Sequence, residues 1–513
     1  TNSSSSTSYT DGIIIKYNRE GEVEWARSVG GSSAEQIESV AETRDGGVIA
    51  GGYFSSSRIQ VGEYTLTNSG SYDGMLIKYS SSGEVEWARS VGGSNYDYIE
   101  SVAETRDGGV IAGGYFSGSI QVGDYTLTNS GGYDGMLIKY SASGEVEWAR
   151  SVGGSNTDYI KSVAETRDGG VIAGGYFYSS EIQVGDYTLT NSSSSTISSD
   201  GMIIKYSREG EVEWARSVGG SSNDQIESVA ETSDGGVIAG GYFQSSSIQV
   251  GDYTLTKSGS TSYSDGMLIK YSRKGEVEWA RSVGGSIGDY IESVAETSDG
   301  GVIAGGYTRS SSIQVGDYTL TNSRSGYYDG MIIKYSREGE VEWARSVGGS
   351  SNDQIESVAE TSDGGVIAGG YFQSSSIQVG DYTLTKSGST SYSDGMLIKY
   401  SRKGEVEWAR SVGGSIGDYI ESVAETSDGG VIAGGYTRSS SIQVGDYTLT
   451  NSRSGYYDGM IIKYSAEGEV EWARSVGGSY SDYIESVVET SDGGVIAGGY
   501  FQSSSIQVGD YTL

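Results

Sequence analysis

"GEVEWARSVGG" occupies Gly21–Gly31 and recurs, letter for letter, seven more times. The copies are marked by Trp25, Trp87, Trp148, Trp214, Trp279, Trp343, Trp408 and Trp472, spaced 62, 61, 66, 65, 64, 65 and 64 residues apart. Treated as a circle, the step from Trp472 through the chain ends to Trp25 is 66 residues, inside the same range. The text joins as well. The chain ends "QVGDYTL" and begins "TN", which restores the internal phrase "QVGDYTLTN" of Gln121–Asn129. An open solenoid has no reason to keep phase across its termini, whereas a closed ring does.

Between two copies of the phrase every segment reads as β-structure. "YIESVAET" (Tyr98–Thr105) predicts a first strand, and the "RDGG" after it carries the Asp-Gly hairpin signal. "GVIAGGYF" (Gly109–Phe116) predicts a second strand, with glycines where another backbone comes close. "SIQVGDYTLTN" breaks at Gly123-Asp124 into an inserted short hairpin. "GMLIKYS" (Gly135–Ser141) and "GEVEWARSV" (Gly144–Val152) predict the third and fourth strands, the latter alternating Val146, Trp148, Arg150 and Val152 against Glu145, Glu147, Ala149 and Ser151. No helical period survives in any unit.

Four antiparallel strands repeated eight times predict an all-β, eight-bladed β-propeller, one domain over residues 1–513 with repeats of about 61–66 residues. The repeated phrase is then the third-to-fourth-strand edge of each blade. The first and last blade is shared between residues 1–30 and 480–513: Asp11–Val29 supplies its two outer strands and the C-terminal stretch its two inner ones. Such a join removes the free edges a sheet must otherwise protect.

Composition narrows the chemistry. Among 513 residues there is no cysteine, histidine or proline, and the formal charge is −34. Thiolate chemistry, disulfides, soft-metal sites and imidazole acid–base catalysis are excluded. The charge argues against nucleic acid, whose phosphates need Lys and Arg. No apolar run reaches the length of a membrane helix, and no signal peptide is visible. Thr1 stands in place of an initiator Met, which reads as a piece excised from a longer protein. With no histidine, behaviour between pH 6 and 8 is expected to be flat.

With the strands placed, "DGMLIKYSSSGEVEWARSVGGSNYDYIESVAETRDGGVIAGGYF" resembles bacterial β-propeller repeats of the SBBP type, with their "D-x-hydrophobic-hydrophobic-x-K-Y, S-x-G, W-A, GG, DY, DGG" pattern. The resemblance covers all eight units. It implies the fold, and a bacterial protein of the cell surface or outside it, or a sensor module of a signalling or defence protein. It says little about activity, because the shared residues are scaffold. This chain departs from the pattern by its extra hairpin and by near-perfect repetition: Ser207–Tyr335 is repeated without a change as Ser336–Tyr464.

The eight copies also differ from one another in informative places. The strands barely change. The segments after "SVGG" do ("SSAEQ", "SNYDY", "SNTDY", "SSNDQ", "SIGDY", "SYSDY"), as do those flanking the hairpin and the linker before "DGM". Propeller topology puts the fourth-to-first and second-to-third connections on one face, so these segments should cluster around one mouth. Of 41 tyrosines, three per unit belong to the scaffold phrases and the other 17 lie in the variable segments. Tyr, Ser, Gly and Asn are the residues of antibody loops, where Tyr gives amphipathic contact area at small entropic cost. The expected binding lip is Tyr96, Tyr98, Tyr133, Tyr159, Tyr178, Tyr327, Tyr328, Tyr456, Tyr457, Tyr480 and Tyr483, with Arg309 and Arg438 as isolated cations in an acidic field. Tyr327/Tyr328 and Tyr456/Tyr457 lie in identical sequence two blades apart. Neutral drift of Ser/Gly/Tyr loops after duplication is the plainer alternative.

The carboxylates admit other readings. Pairs such as Glu38 with Glu42 and Glu100 with Glu104 suggest a glycosidase, which needs two acids flanking a bond. A residue present in every blade is no unique acid or base, however. The plainer reading is that "E-x-x-x-E" and "EVE" pair with the Arg of "WAR" and the Lys of "IKY". The "TSDGG" turn resembles the Asp-box of sialidases but lacks its terminal aromatic. Glu38, Glu100, Glu227, Glu292, Glu356, Glu421 and Glu485 are candidates for a channel cation, Ca²⁺ being the ion that takes oxygen-only sites; the eighth copy has Lys161. The reading is a non-enzyme with no catalytic residue and no required cofactor. It is expected to be a monomeric scaffold that presents its loops to a protein or glycan, to bind no nucleic acid and to insert in no membrane. The alternative is a structural spacer module.

Overall fold

A computed structural model describes residues 9–193, 195, 197–260, 262–389, 391–453 and 455–513. The "TN" that continues the C-terminal phrase, at Thr1 and Asn2, lies outside them. The protein is all-β, with no helix among the described residues, and is an eight-bladed β-propeller of four antiparallel strands per blade. Among the described residues no helix is long and apolar enough to cross a membrane. The blades fall into two compact units. One unit, residues 93–347, holds the blades of Trp148, Trp214, Trp279 and Trp343. The other, residues 1–92 and 348–513, holds those of Trp25, Trp87, Trp408 and Trp472.

The Trp148 blade shows the repeating plan. Its strands are Tyr98–Glu104, Val110–Phe116, Asp134–Tyr140 and Val146–Val152, and the inserted hairpin pairs Ser119–Val122 with Tyr125–Thr128. The third strand is buried along its whole length. The Trp25 blade is built from both chain ends: Val23–Val29 and Asp11–Tyr17 pair onward with Val495–Phe501 and Glu489 back to Asp482.

The apolar core lies between blades rather than within them. One cluster joins Ile111, Leu137, Trp148 and Val152 of one blade to Ile160, Val163, Val171, Phe177, Met202 and Tyr206 of the next. The hairpin of that next blade adds Ile182, Val184 and Leu189. Each such side chain contributes about 1.5–3 kcal/mol on burial.

The invariance of the opening phrase now has a physical cause, because the phrase recognises its own copy in the next blade. The Trp148 indole N–H donates to the Arg208 carbonyl at 2.9 Å, and Arg150 Nε donates to the Gly210 carbonyl at 2.9 Å. The guanidinium of Arg150 lies over the Trp148 ring at 5.7 Å, and the indole stacks on Tyr206 at 5.9 Å. Gly210 has φ +77, and a Cβ there would stand 2.6 Å from the indole. Trp25 meets Ser81, Trp408 meets Ala466 and Trp472 meets Arg19 through the same bond in the other unit. Any drift in one copy would mismatch its neighbour.

The hairpin has a role the sequence reading did not assign. Ile120, Val122 and Leu127 are buried, Gly123 arches over Val146, and the Tyr125 hydroxyl donates to the Glu147 carbonyl at 2.8 Å. It therefore covers the fourth strand, the edge strand of the blade.

Candidate functional site

The variable segments converge within each unit. In the unit of residues 93–347, the Asp158 N–H donates to the Tyr133 carbonyl at 2.6 Å, and the Tyr178 N–H donates to Thr157 at 2.9 Å. In the other unit, Asp482 bonds to Tyr457 at 2.7 Å and Gln502 to Ser481 at 2.9 Å. The linker of one blade, the connector into the next and the segment after that blade's second strand are thus tied side by side.

The knot is a buried acid that the sequence reading passed over. Asp158 accepts from the Gly154 N–H at 2.8 Å, the Ser179 N–H at 3.1 Å and the Ser179 hydroxyl at 2.7 Å. Glu35 takes this place in the Trp87 blade, accepting from Gly31 and Ser56. Its signal was present: within each variable segment one position is always Asp or Glu.

Tyrosines form continuous belts on these connectors. In residues 93–347, Tyr98 meets Tyr115 at 4.9 Å and Tyr115 meets Tyr133 at 5.3 Å and Tyr159 at 4.8 Å. Tyr159 continues to Tyr176 at 5.1 Å and Tyr176 to Tyr178 at 6.0 Å. A second run joins Tyr242, Tyr290, Tyr307 and Tyr328. In the other unit Tyr371, Tyr419, Tyr436, Tyr457, Tyr483 and Tyr500 are linked at 4.9–5.3 Å. Tyr456 meets Tyr480 at 5.2 Å.

The expected lip is therefore assembled, though differently from the expectation. Tyr98, Tyr133, Tyr159, Tyr178, Tyr327, Tyr328, Tyr456, Tyr457, Tyr480 and Tyr483 are half-buried in ring contacts or under cations, and of the expected tyrosines only Tyr96 is classed as exposed, at 41%. Tyr115, Tyr176, Tyr242, Tyr307, Tyr371, Tyr436 and Tyr500, read as scaffold from "GGY", are the links of the belts. Tyr290 and Tyr419 were omitted although they occupy the position of Tyr98 and Tyr159 in their copies. Arg309 and Arg438 are not isolated cations. Arg309 lies 5.2 Å over Tyr328 and Arg438 5.5 Å over Tyr457, and Arg438 Nε donates to the Gly455 carbonyl at 2.9 Å. Arg324 sits over Tyr327 at 4.4 Å and Arg453 over Tyr456 at 4.9 Å, a use the sequence did not disclose.

Beyond these connector acids, three further groups of acidic residues stand out. Lys139, fully buried, bonds to Asp107 at 3.1 Å and Glu147 at 3.0 Å, and this triad recurs in the other blades. The second Glu of "EVE" thus pairs with the Lys of "IKY", as expected, together with the Asp of "DGG", which was not. The first Glu meets the "WAR" arginine of the preceding blade, as Glu211 meets Arg150 at 3.5 Å. The second Glu of "E-x-x-x-E" instead accepts a backbone N–H of the preceding blade, as Glu231 does from Arg167 at 2.6 Å. Hydrogen bonds from Thr105 and Lys139 hold Asp107 at about 2, despite its burial.

The second group, the Asp that opens each third strand, is buried, with Lys257 and Lys386 offsetting that burial only in part at Asp265 and Asp394. Asp200 accepts from the Ser192 N–H at 2.8 Å through Oδ2, while its buried Oδ1 has no hydrogen-bond partner. Burial pushes Asp134, Asp200 and Asp265 up to about 7, and Asp394 and Asp458 to about 6. This corrects the expectation of flat behaviour between pH 6 and 8: desolvation moves carboxyls into the interval that histidine would have occupied.

The third group is the Glu of "IES". Among the described residues no cluster of three or more acidic side chains could hold a metal ion. Glu100 instead bonds to Lys161 at 2.7 Å.

No protein-family model matches the chain. It is 21% identical over 486 residues to an uncharacterised WD repeat-containing protein of Acanthamoeba polyphaga mimivirus, covering 79% of this chain and 34% of that protein. Over 164 residues it is 27% identical to the regulatory protein FlaEY of Caulobacter vibrioides, covering 31% of this chain and 17% of that protein. The chain thus spans well under half the length of either relative. Solved structures similar to it include the Pan2 WD40 domain of Neurospora crassa, with a TM-score of 0.38, 11% identity and coverage of 78% and 88% of the two chains. Another is Sqt1 from Chaetomium thermophilum, with a TM-score of 0.38, 12% identity and coverage of 76% and 74%. The SBBP type is not shown by these likenesses; what the chain shares with the mimivirus protein is a likeness to its WD repeats at 21% identity.

Proposed function

We propose that the protein is a non-catalytic scaffold that takes a protein partner on the connector face. The observation that carries this reading is the tyrosine belt, half-buried, with rings in contact and guanidiniums seated on them. Tyr and Arg dominate binding hot spots, and rings already fixed by their neighbours lose little freedom on docking. The opposite ends of the blades offer "DGG" and "SREGE" turns whose side chains are engaged in blade-to-blade ion pairs. No cofactor is required. The reading includes a monomer that acts as one domain, and it keeps the bacterial SBBP-type resemblance and placement outside the cell or at its surface, with a cytoplasmic sensor module as the alternative.

The test is a paired peptide and glycan array with the full chain and a variant in which Tyr98, Tyr133, Tyr159, Tyr178, Tyr328, Tyr457 and Tyr483 are Ser. Peptide binding lost in that variant, at unchanged melting temperature, supports the reading. Peptide binding lost instead on neutralising the "SREGE" and "SRKGE" turns would overturn it. So would a glycan-only signal, or no binding at all, which would favour the spacer module.

A further inference from the structure

The first strand of every blade carries a β-bulge, and the extra residue is the Glu of "IES" or Lys161. In the Trp472 blade, Ile420 pairs with Gly435 and Ser422 with Gly434, leaving Glu421 unmatched. The two glycines make room. A Cβ on Gly435 would strike the Tyr419 carbonyl, and one on Gly434 would strike Val487 of the next blade. The serine after the bulge is spent on blade contact: the Ser422 hydroxyl accepts the Val487 N–H at 3.2 Å. The bulge therefore frees one side chain per blade from the ladder, and bulges re-aim side chains in this way.

These freed carboxylates lie against the tyrosine belt. Tyr436 pairs across the ladder with Tyr419, two residues before Glu421, and Tyr500 pairs with Tyr483, two residues before Glu485. In this unit the charged groups acting on Glu485 are two further carboxylates, Glu421 and Glu38, and with burial they push it up to about 7. In the other unit one bulge position supplies a cation. Lys161 bonds to Glu100 at 2.7 Å and its charge reaches Glu227. The belts seat guanidiniums too, Arg438 on Tyr457 and Arg309 on Tyr328. The chain thus contains its own examples of an ammonium on a bulge carboxylate, Glu100, and of a guanidinium on belt rings, Tyr457 and Tyr328. Aromatic faces beside a carboxylate are the chemistry that holds such cations.

We propose that Glu421 and Glu485, walled by Tyr436, Tyr483 and Tyr500, receive a lysine or arginine side chain from a basic, extended segment of a protein partner. This rests on the reading of the connector face as a protein-binding surface and names the chemistry that the surface selects.

The probe is a fluorescein-labelled peptide of six Gly-Lys repeats, with its fully acetylated form as control, titrated by anisotropy against the 513-residue chain. The acetylated peptide is expected to bind at least tenfold more weakly. Glu421→Gln with Glu485→Gln should weaken the basic peptide at least fivefold. Glu209→Gln with Glu338→Gln removes the same charge from turns at the other end of the blades and should leave binding within twofold. Equal binding of the acetylated peptide, which needs no variant, would overturn the proposal. Equal weakening by both pairs would do the same, since it would show attraction to net charge alone. If the Glu421/Glu485 pair had no effect while the Tyr-to-Ser variant still lost its peptides, this inference would fail and the proposed function would stand. If peptide binding followed the turns instead, both would fail.

Discussion

Gly210 shows how much one residue can carry. Its φ of +77 and its place against the Trp148 ring leave no room for a side chain. Gly210→Ala should destabilise the protein by about 1–3 kcal/mol, since it combines a left-handed backbone with a clash. Chemical denaturation followed by tryptophan fluorescence reads this directly. The "DGM" aspartates set the pH response. A carboxyl raised to about 6–7 keeps its proton in the folded chain where the unfolded chain has lost it. Folded protein then binds more protons above about pH 4, so stability falls as pH rises through 6–7. Asp107, Asp168 and Asp234, held at about 2, act oppositely: their contribution is present above the ordinary carboxylate range and is lost toward pH 2. Maximum stability is expected near about pH 4, where the depressed aspartates are ionised and the raised ones still hold their protons. Asp200→Asn mimics the protonated form and should raise the melting temperature at pH 8 more than at pH 5. A melting temperature that rises between pH 5 and 8 would contradict this.

At the scale of elements, the hairpin is the test case. It buries Ile120, Val122 and Leu127 over the edge strand Val146–Val152. Replacing residues 119–128 with a short Gly-Ser linker should expose that strand and its apolar side. Concentration-dependent dimers or aggregates are expected, because an open edge pairs with another chain. Light scattering after size-exclusion chromatography gives the result, and a monomer as stable as the parent would mean that the hairpin is decoration. The bulge is the second element with a consequence. Without it, Glu421 would fall into the alternating ladder, where the next side chain faces the opposite side.

For the whole molecule, the blade shared by the two chain ends is the vulnerable point. Removing the last forty residues deletes Asp482–Glu489 and Val495–Phe501 and leaves Asp11–Tyr17 paired on one side only, with Val23–Val29. Such a chain should be insoluble or melt well below the parent. A soluble truncation with the parent's melting temperature would mean that pairing between the ends contributes little. The reading of residues 1–513 as one domain predicts a single calorimetric transition in the intact chain. Two resolved transitions would instead assign separate stability to the two four-blade units.

Strand order, blade number, the inserted hairpin and the shared blade could all be read from the sequence. Each rests on local periodicity, Asp-Gly turns and a period of 61–66 residues, and these signals lie close together in the chain. The variable segments and their tyrosines could be read as well, because eight copies serve as their own comparison. Tertiary structure decided what touches what. Tyr115 and Tyr436 looked like scaffold because they never vary, yet their neighbours are connector tyrosines distant in sequence. Arg438 looked isolated because the ring beneath it lies nineteen residues away, at Tyr457. Nothing in the repeated "DGM" phrase marks Asp200 as enclosed, yet the structure buries it completely. Burial, ring contact and the bulge that frees Glu421 depend on how blades stack, and period-two alternation in a single strand carries no record of the neighbouring blade.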